Sequence, residues 1–260
     1  MDEALLLTEV ILSQEFSDAA RKKLFVKLEK YGGLSAASLA AQAGWDAEPT
    51  PESKEAAAER YDDGESDDAD MAEETDYMSP IPNVDNLTTA KLNVLARQGH
   101  NDDFLALSER YGAHLLFAGK LCELGRTIEA VAYAQKHFTD THEALQLAQQ
   151  LRERRQIKEA ISVAETGLTL HGPKAALGQW LAPIEEAHGR PQQALTAWLA
   201  AFEETPSLER YKLIKKLGAK TWGTLQPRVM AALRKHYDLH ALIEVLLYEE
   251  QWDEVIRANS

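Results

Sequence analysis

Residues 121–170 read LCELGRTIEAVAYAQKHFTDTHEALQLAQQLRERRQIKEAISVAETGLTL. Two helix pairs in succession share one pattern. An apolar helix is followed by a short break and then by a helix that opens with Glu-Ala and carries small residues at every fourth position. Ala130 and Ala134 in the first pair match Ala160 and Ala164 in the second. Residues four apart lie on one face of a helix, and small side chains there let a neighbouring helix approach closely. The stretch is a helical-hairpin repeat, and the rest of the chain reads outward from it.

Downstream, breaks fall at Gly172-Pro173, Gly189, Pro206 and Gly218, and the last helix starts near Trp252. Pro191 sits in the first turn of its helix, where its missing N–H costs nothing, and Ser207 is a candidate cap for the next. Upstream, helices break at Gly99 and Gly112. Equivalent points in the second helix of each pair are Phe104, Ala130, Ala160, Ala194 and Val255, with spacings of 26, 30, 34 and 61. The last is a doubled period, which places one degenerate repeat near Val229. A period near thirty with two helices per unit is the signature of tetratricopeptide (TPR)-like arrays, although the consensus Trp, Tyr and Pro are not consistently present. Each hairpin alone leaves an apolar face uncovered, and stacking joins these faces into one core.

The composition agrees with an all-α chain. It is rich in Ala, Leu, Glu and Gln, which favour helix, and no stretch alternates like a strand. Three regions follow. Residues 1–45 form a helical unit, with Ser17 capping a second helix that ends at Gly32-Gly33, a third helix from Ser35 to Gly44, and Trp45 packed back on the unit. Residues 46–86 read as an acidic, disordered linker, and residues 87–260 as the TPR-like repeats. The net charge of −14 is local: residues 1–86 hold 21 acidic and 7 basic side chains, while residues 87–260 hold 21 of each. Nine acidic residues lie between Asp62 and Asp76 with no basic one, and their spacing does not fit a calcium-binding loop. Tyr61, Met71, Tyr77, Met78 and Ile81 are the linker residues able to dock on the body.

A single cysteine, Cys122, excludes an intramolecular disulfide and a multi-cysteine zinc site. The N-terminus lacks the basic region of a signal peptide, and no apolar run approaches the roughly 20 residues of a membrane span. These features read as a cytoplasmic chain without a membrane partner. The chain ends inside the pattern of its last helix, which reads as a fragment of a longer protein; the alternative is a stand-alone chain.

Catalytic and cofactor fingerprints are missing from the sequence: no nucleophile elbow, Walker loop or dinucleotide turn occurs, and Gly-Ala-Lys-Thr at 218–221 lacks the upstream glycine of a phosphate loop. His236 and His240 stand four apart, but Tyr237-Asp238 between them reads as a helix junction and zinc needs further ligands. His137 and His142 straddle a break. The candidate interaction residues are two basic clusters. Arg152, Arg154, Arg155 and Lys158 surround one interhelical turn, and Arg210, Lys212, Lys215, Lys216 and Lys220 line another helix and its exit. Cations near a helix C-terminus complement its dipole; the same residues could contact phosphates or receive an acidic segment. Tyr133, Trp180, Trp198, Phe202, Trp222 and Trp252 read mostly as core.

The order of EALLLTEVIL, AAQAGWD, KLNVLARQG, LGRTIEAV, EALQLAQQL, EAISVAETGLTLHG, KAALGQWL, AFEETPSLERY and EEQWDEVIRA resembles the C-terminal helical region of bacterial and archaeal SWIM zinc finger proteins. The likeness covers most of the chain outside the acidic stretch. It implies a TPR-like scaffold attached to an N-terminal CxCx(n)HxC finger that binds nucleic acid or protein. That finger is not in this sequence, so no zinc ligand is carried over. Together these readings predict an α-solenoid of about five or six TPR-like hairpins. Its function is a non-enzymatic protein–protein interaction scaffold, without cofactor or metal, that binds a protein or peptide. The alternative is a nucleic-acid-associated protein that contacts phosphates through basic interhelical turns.

Overall fold

The computed structural model describes residues 3–14, 16–31, 35–50, 85–236 and 239–258. Among them the chain is 81% helix in 15 helices, with no strand. The acidic run and the aromatic and apolar residues expected to dock from it lie outside the described residues, as do Gly32-Gly33 and Tyr237-Asp238. The described ends of the expected linker are ordered: Ala47, Pro49 and Asp85 are buried. No described helix is long and apolar enough to cross a membrane.

The packing divides into two compact units, residues 1–120 and 121–260. The first holds α1 (Glu3–Ser13), α2 (Asp18–Leu28), α3 (Ser35–Ala43), α4 (Asn86–Gln98) and α5 (Asn101–Arg110); the division falls within α6 (His114–Glu123). Ser17 caps α2 by accepting from the Ala20 N–H at 3.4 Å. Asp85 caps α4 by accepting from Leu87 and Thr88, each at 3.0 Å. Ile11 and Leu12 of α1, Ala37, Ala40 and Ala41 of α3, and Leu87, Ala90 and Val94 of α4 share one core. The sequence starts a separate region at residue 87; in the structure α4 completes the core begun by α1 and α3. Glu9, buried in α1, accepts from Asn93 at 2.7 Å and pairs with Arg97 at 2.6 Å. Trp45, expected to pack inward, is 40% exposed, because Gly44 turns the chain with φ +59° and only Ala47 and Pro49 of the following residues point inward.

The second unit contains α7 (Thr127–His137), α8 (Thr141–Glu153), α9 (Ile157–Gly167), α10 (Ala175–Ala187), α11 (Pro191–Glu204), α12 (Leu208–Leu217), α13 (Trp222–Lys235), α14 (Leu239–Tyr248) and α15 (Trp252–Ala258). Extensive contacts here join helices one or two places apart in the chain. The α7–α8 and α9–α10 connections are also tied together. The Thr141 N–H donates to the His171 carbonyl at 2.9 Å, and the His171 N–H to Thr139 at 3.2 Å.

One turn recurs from residue 99 to residue 250. Gly99, Gly112, Gly125, Arg155, Gly189 and Glu250 all adopt the left-handed conformation, with φ between 58° and 74°. At each, the left-handed residue donates to the carbonyl three before it, and the next residue donates to the carbonyl five before itself. This is the Schellman motif, which satisfies carbonyls left open at a helix end. Phe104, Ala130, Ala160, Ala194 and Val255, aligned from sequence, each stand five residues after such a turn. The skipped repeat falls between 189 and 250. There Gly218 has φ −88° and the chain passes through a 3-10 turn, Ala219–Thr221. A Cβ on Gly218 would lie 2.5 Å from Leu225 Cδ1, so this glycine serves close packing instead of a left-handed turn.

Small residues set the spacing of α10 and α11. Ala194, Ala197 and Ala201 are fully buried, and a Cβ on Gly178 would stand 2.4 Å from the Ala197 carbonyl oxygen. Backbone cannot move aside there without separating the helices. We therefore expect Gly178→Val to lower the unfolding free energy by about 2–3 kcal/mol, measured by urea titration.

Glu185 of α10 is fully buried, with Oε2 3.2 Å from Arg190 Nη1; Arg190 also pairs with Glu165. Burial pushes the Glu185 carboxyl above its ordinary 4.5, Arg190 pulls it down, and Glu165 pushes it up again. A folded-state value above the unfolded one means that the folded chain binds more protons. The contribution of this group to stability therefore grows as pH falls from neutral toward about 4.5. Glu185→Gln removes that contribution, and its unfolding free energy should gain less over that interval than the parent chain's.

Candidate functional site

The α8–α9 connection consists of Arg154, Arg155 and Gln156, with Arg152 in the last turn of α8 and Lys158 in the first turn of α9. Helix α8 is fixed by its Asp140 cap, which accepts from the His142 N–H at 2.6 Å, and by buried Ala144, Leu147, Ala148 and Leu151. Because Leu151 points inward, Arg152 is turned to the surface. All four cations are exposed. The Arg152 guanidinium lies 5.9 Å from the centroid of the Trp180 ring, within cation–π range. Trp180 is only half-buried, so its ring forms part of this surface.

Seven other arginines of the described residues are engaged. Arg97 pairs with Glu9, Arg110 with Glu48, Arg126 with Glu129, Arg190 with Glu165, Arg228 with Glu203 and Arg234 with Glu254. Arg210 donates to Thr205 and, at 2.8 Å, to Gln179. Arg152, Arg154 and Arg155 have no ion pair with a carboxylate among the described residues. Residues 152–159 hold four cations against Glu153 and Glu159, so the turn presents a net positive charge with its guanidinium forks open.

The second basic cluster, on α12, is different. Lys215 pairs with Glu249 at 2.6 Å and lies 5.4 Å from the Tyr248 ring and 5.9 Å from the Trp222 ring. Lys212 lies 4.9 Å from the Tyr248 ring. Buried Tyr211 meets the Trp222 and Tyr248 rings edge-on at 5.5 and 6.2 Å. Most of these cations hold their own unit together; Lys216 remains exposed. The two clusters look alike in sequence, and pairing separates them.

The histidines are used locally: His236 Nε2 is 3.1 Å from the Glu204 carbonyl oxygen, and His240 is 3.7 Å from Glu244. Among the described residues no group of three or more His, Cys, Asp or Glu is placed to hold a metal. Burial raises the Cys122 thiol above its ordinary value, with Arg154 pulling back. Of the aromatic residues read as core, Trp198 and Phe202 are buried, whereas Trp252 is 60% exposed and Tyr133, Trp180 and Trp222 are half-buried. Sequence reasoning missed the part of Trp180 in the arginine surface, because the ring stands 28 residues from Arg152.

Arg155 occupies a left-handed position that glycine takes in four of the equivalent turns. A side chain there costs about 1–2 kcal/mol, partly offset because glycine loses more backbone freedom on folding. Arg155→Gly should therefore raise the unfolding free energy by about 0.5–1 kcal/mol, read from a denaturant midpoint. Comparisons with protein-family models, curated proteins and solved structures return no match for this chain.

Proposed function

We propose that the chain is a non-enzymatic interaction scaffold built of TPR-like hairpins, and that the Arg152–Lys158 turn contacts an acidic segment of a protein partner. Two observations support a repeat scaffold: the recurring left-handed turn and the nearest-neighbour packing of the second unit, which is how stacked repeats are stabilised. On this reading the hairpins stack as an α-solenoid. On the same reading, the order of motifs, which resembles that of SWIM zinc finger proteins, fits the helical part of such a protein, with the finger outside this sequence. The observation that carries the contact site is the concentration of unpaired arginines in one turn. A guanidinium fork binds a carboxylate through two parallel N–H bonds, and Trp180 offers an apolar surface beside it.

The second reading, phosphate contact with nucleic acid, draws on the same arginines and on the ring under Arg152. Against it stands the even charge of the region that carries the turn: residues 87–260 hold 21 acidic and 21 basic side chains, which gives no long-range attraction for an extended polyanion. The first reading needs only a short acidic segment.

Fluorescence anisotropy with a labelled decaglutamate peptide and a duplex DNA separates them. The peptide should bind the full chain, and the Arg152→Gln/Arg154→Gln/Arg155→Gln variant should lose about tenfold or more in affinity, while Lys216→Gln matches the parent. Equal peptide affinity in the parent and the triple variant overturns the contact site. Tighter binding of DNA, with the steep salt dependence of phosphate contacts, would establish the second reading instead.

A further inference from the structure

Between α4, α5 and residues 45–48 the first unit holds a cleft of about 550 Å³, within the size range of small-molecule sites. Its apolar wall is Leu95, Leu107 and the half-exposed indole of Trp45. Lys91 of α4 also lines it and is only 3% exposed. The Lys91 ammonium donates to the Ala47 carbonyl oxygen at 2.6 Å. An ammonium carries three N–H donors, and this one has no ion pair with a carboxylate among the described residues. A charge removed from water without a counter-ion is costly. The cost shows in the depressed proton affinity of Lys91, lowered first by burial and restored in part by Glu48.

The other charges of the cleft are differently placed. Arg110 is paired with Glu48 at 2.8 Å, and Glu48 also accepts from the Tyr111 hydroxyl. Asp46 and Asp103 stand at the rim, with His100 3.6 Å from Asp103. A doubly charged phosphate would meet this acidic rim, whereas a single carboxylate reaching the lysine would not be opposed to the same degree. The indole and the two leucines suit an apolar body behind that carboxylate.

We propose that this cleft binds a small organic carboxylate with an apolar body, its carboxylate paired with the Lys91 ammonium and its body laid against Trp45, Leu95 and Leu107. This site is separate from the arginine turn and does not rest on the scaffold reading. Binding places a carboxylate directly on the ammonium, where Glu48, Asp85 and Asp46 act only from beyond ion-pair distance, so Lys91 both holds the 44–47 turn and selects the ligand.

Isothermal titration of the full chain with phenylacetate tests the site, with inorganic phosphate as the competing anion. Phenylacetate should bind saturably and more tightly than phosphate. Lys91→Met keeps the length of the side chain and removes the buried charge, at the cost of the bond to the Ala47 carbonyl; it should weaken phenylacetate by about tenfold or more. Trp45→Ala, at a half-exposed position, should weaken it by a smaller factor and leaves the lysine in place. Absence of saturable phenylacetate binding, stronger binding of phosphate, or unchanged affinity in Lys91→Met overturns the proposal. Should Lys91→Met fail to fold by circular dichroism, Trp45→Ala decides: an affinity equal to the parent's overturns it.

Discussion

The left-handed residue at the end of a helix is the constraint on which most of this structure depends. A helix leaves its last carbonyls without partners, and a sharp reversal would bury some of them. The paired bonds at Gly99, Gly112, Gly125, Arg155, Gly189 and Glu250 satisfy them within a connection of two or three residues. So short a connection returns the next helix directly against the last. At glycine the required φ costs little. At Arg155 and Glu250 the fold accepts strain, and packing on both sides must hold the turn.

Helices brought together this way must fit at close range. Gly178 against Ala197 and Ala201, and Gly167 against Ala144, leave no room for a further methyl group. The tight fit explains why alanine at every fourth position is as informative as large apolar residues. It also isolates polar groups: Glu185 is enclosed between helices with Arg190 as its nearby counter-charge, and that arginine is shared with Glu165. Charge pairing is therefore widespread, and the arginines at 152, 154 and 155 are notable for standing outside it.

Much of the helical plan was legible before the structure. Ser17, Ser207 and Pro191 mark helix starts and Gly99, Gly125 and Gly189 mark ends, because caps and left-handed turns are set by a few adjacent residues. The spacing of the turns was legible for the same reason, but the degenerate repeat expected near Val229 has no such turn, since the residue five before it lies inside α13. The candidate site was only half legible. Sequence could list the cations of both clusters, but not that Lys215 is taken by Glu249, 34 residues away, nor that Trp180 lies under Arg152. The grouping of α4 with α1 and α3 was hidden as well, since residues 51–84 separate it from its packing partners and local composition carries no record of distant contacts.

The sequence alone determined the helical class, the positions of the turns and the uneven charge, all of which follow from propensity, capping and composition within short windows. The tertiary structure alone decided which charges find partners. Whether an arginine is paired or open, and whether Lys91 is solvated or enclosed beside a cleft, depends on residues brought within a few ångströms by packing. Electrostatic energy depends on that distance and on the surrounding dielectric, neither of which is written in the order of residues.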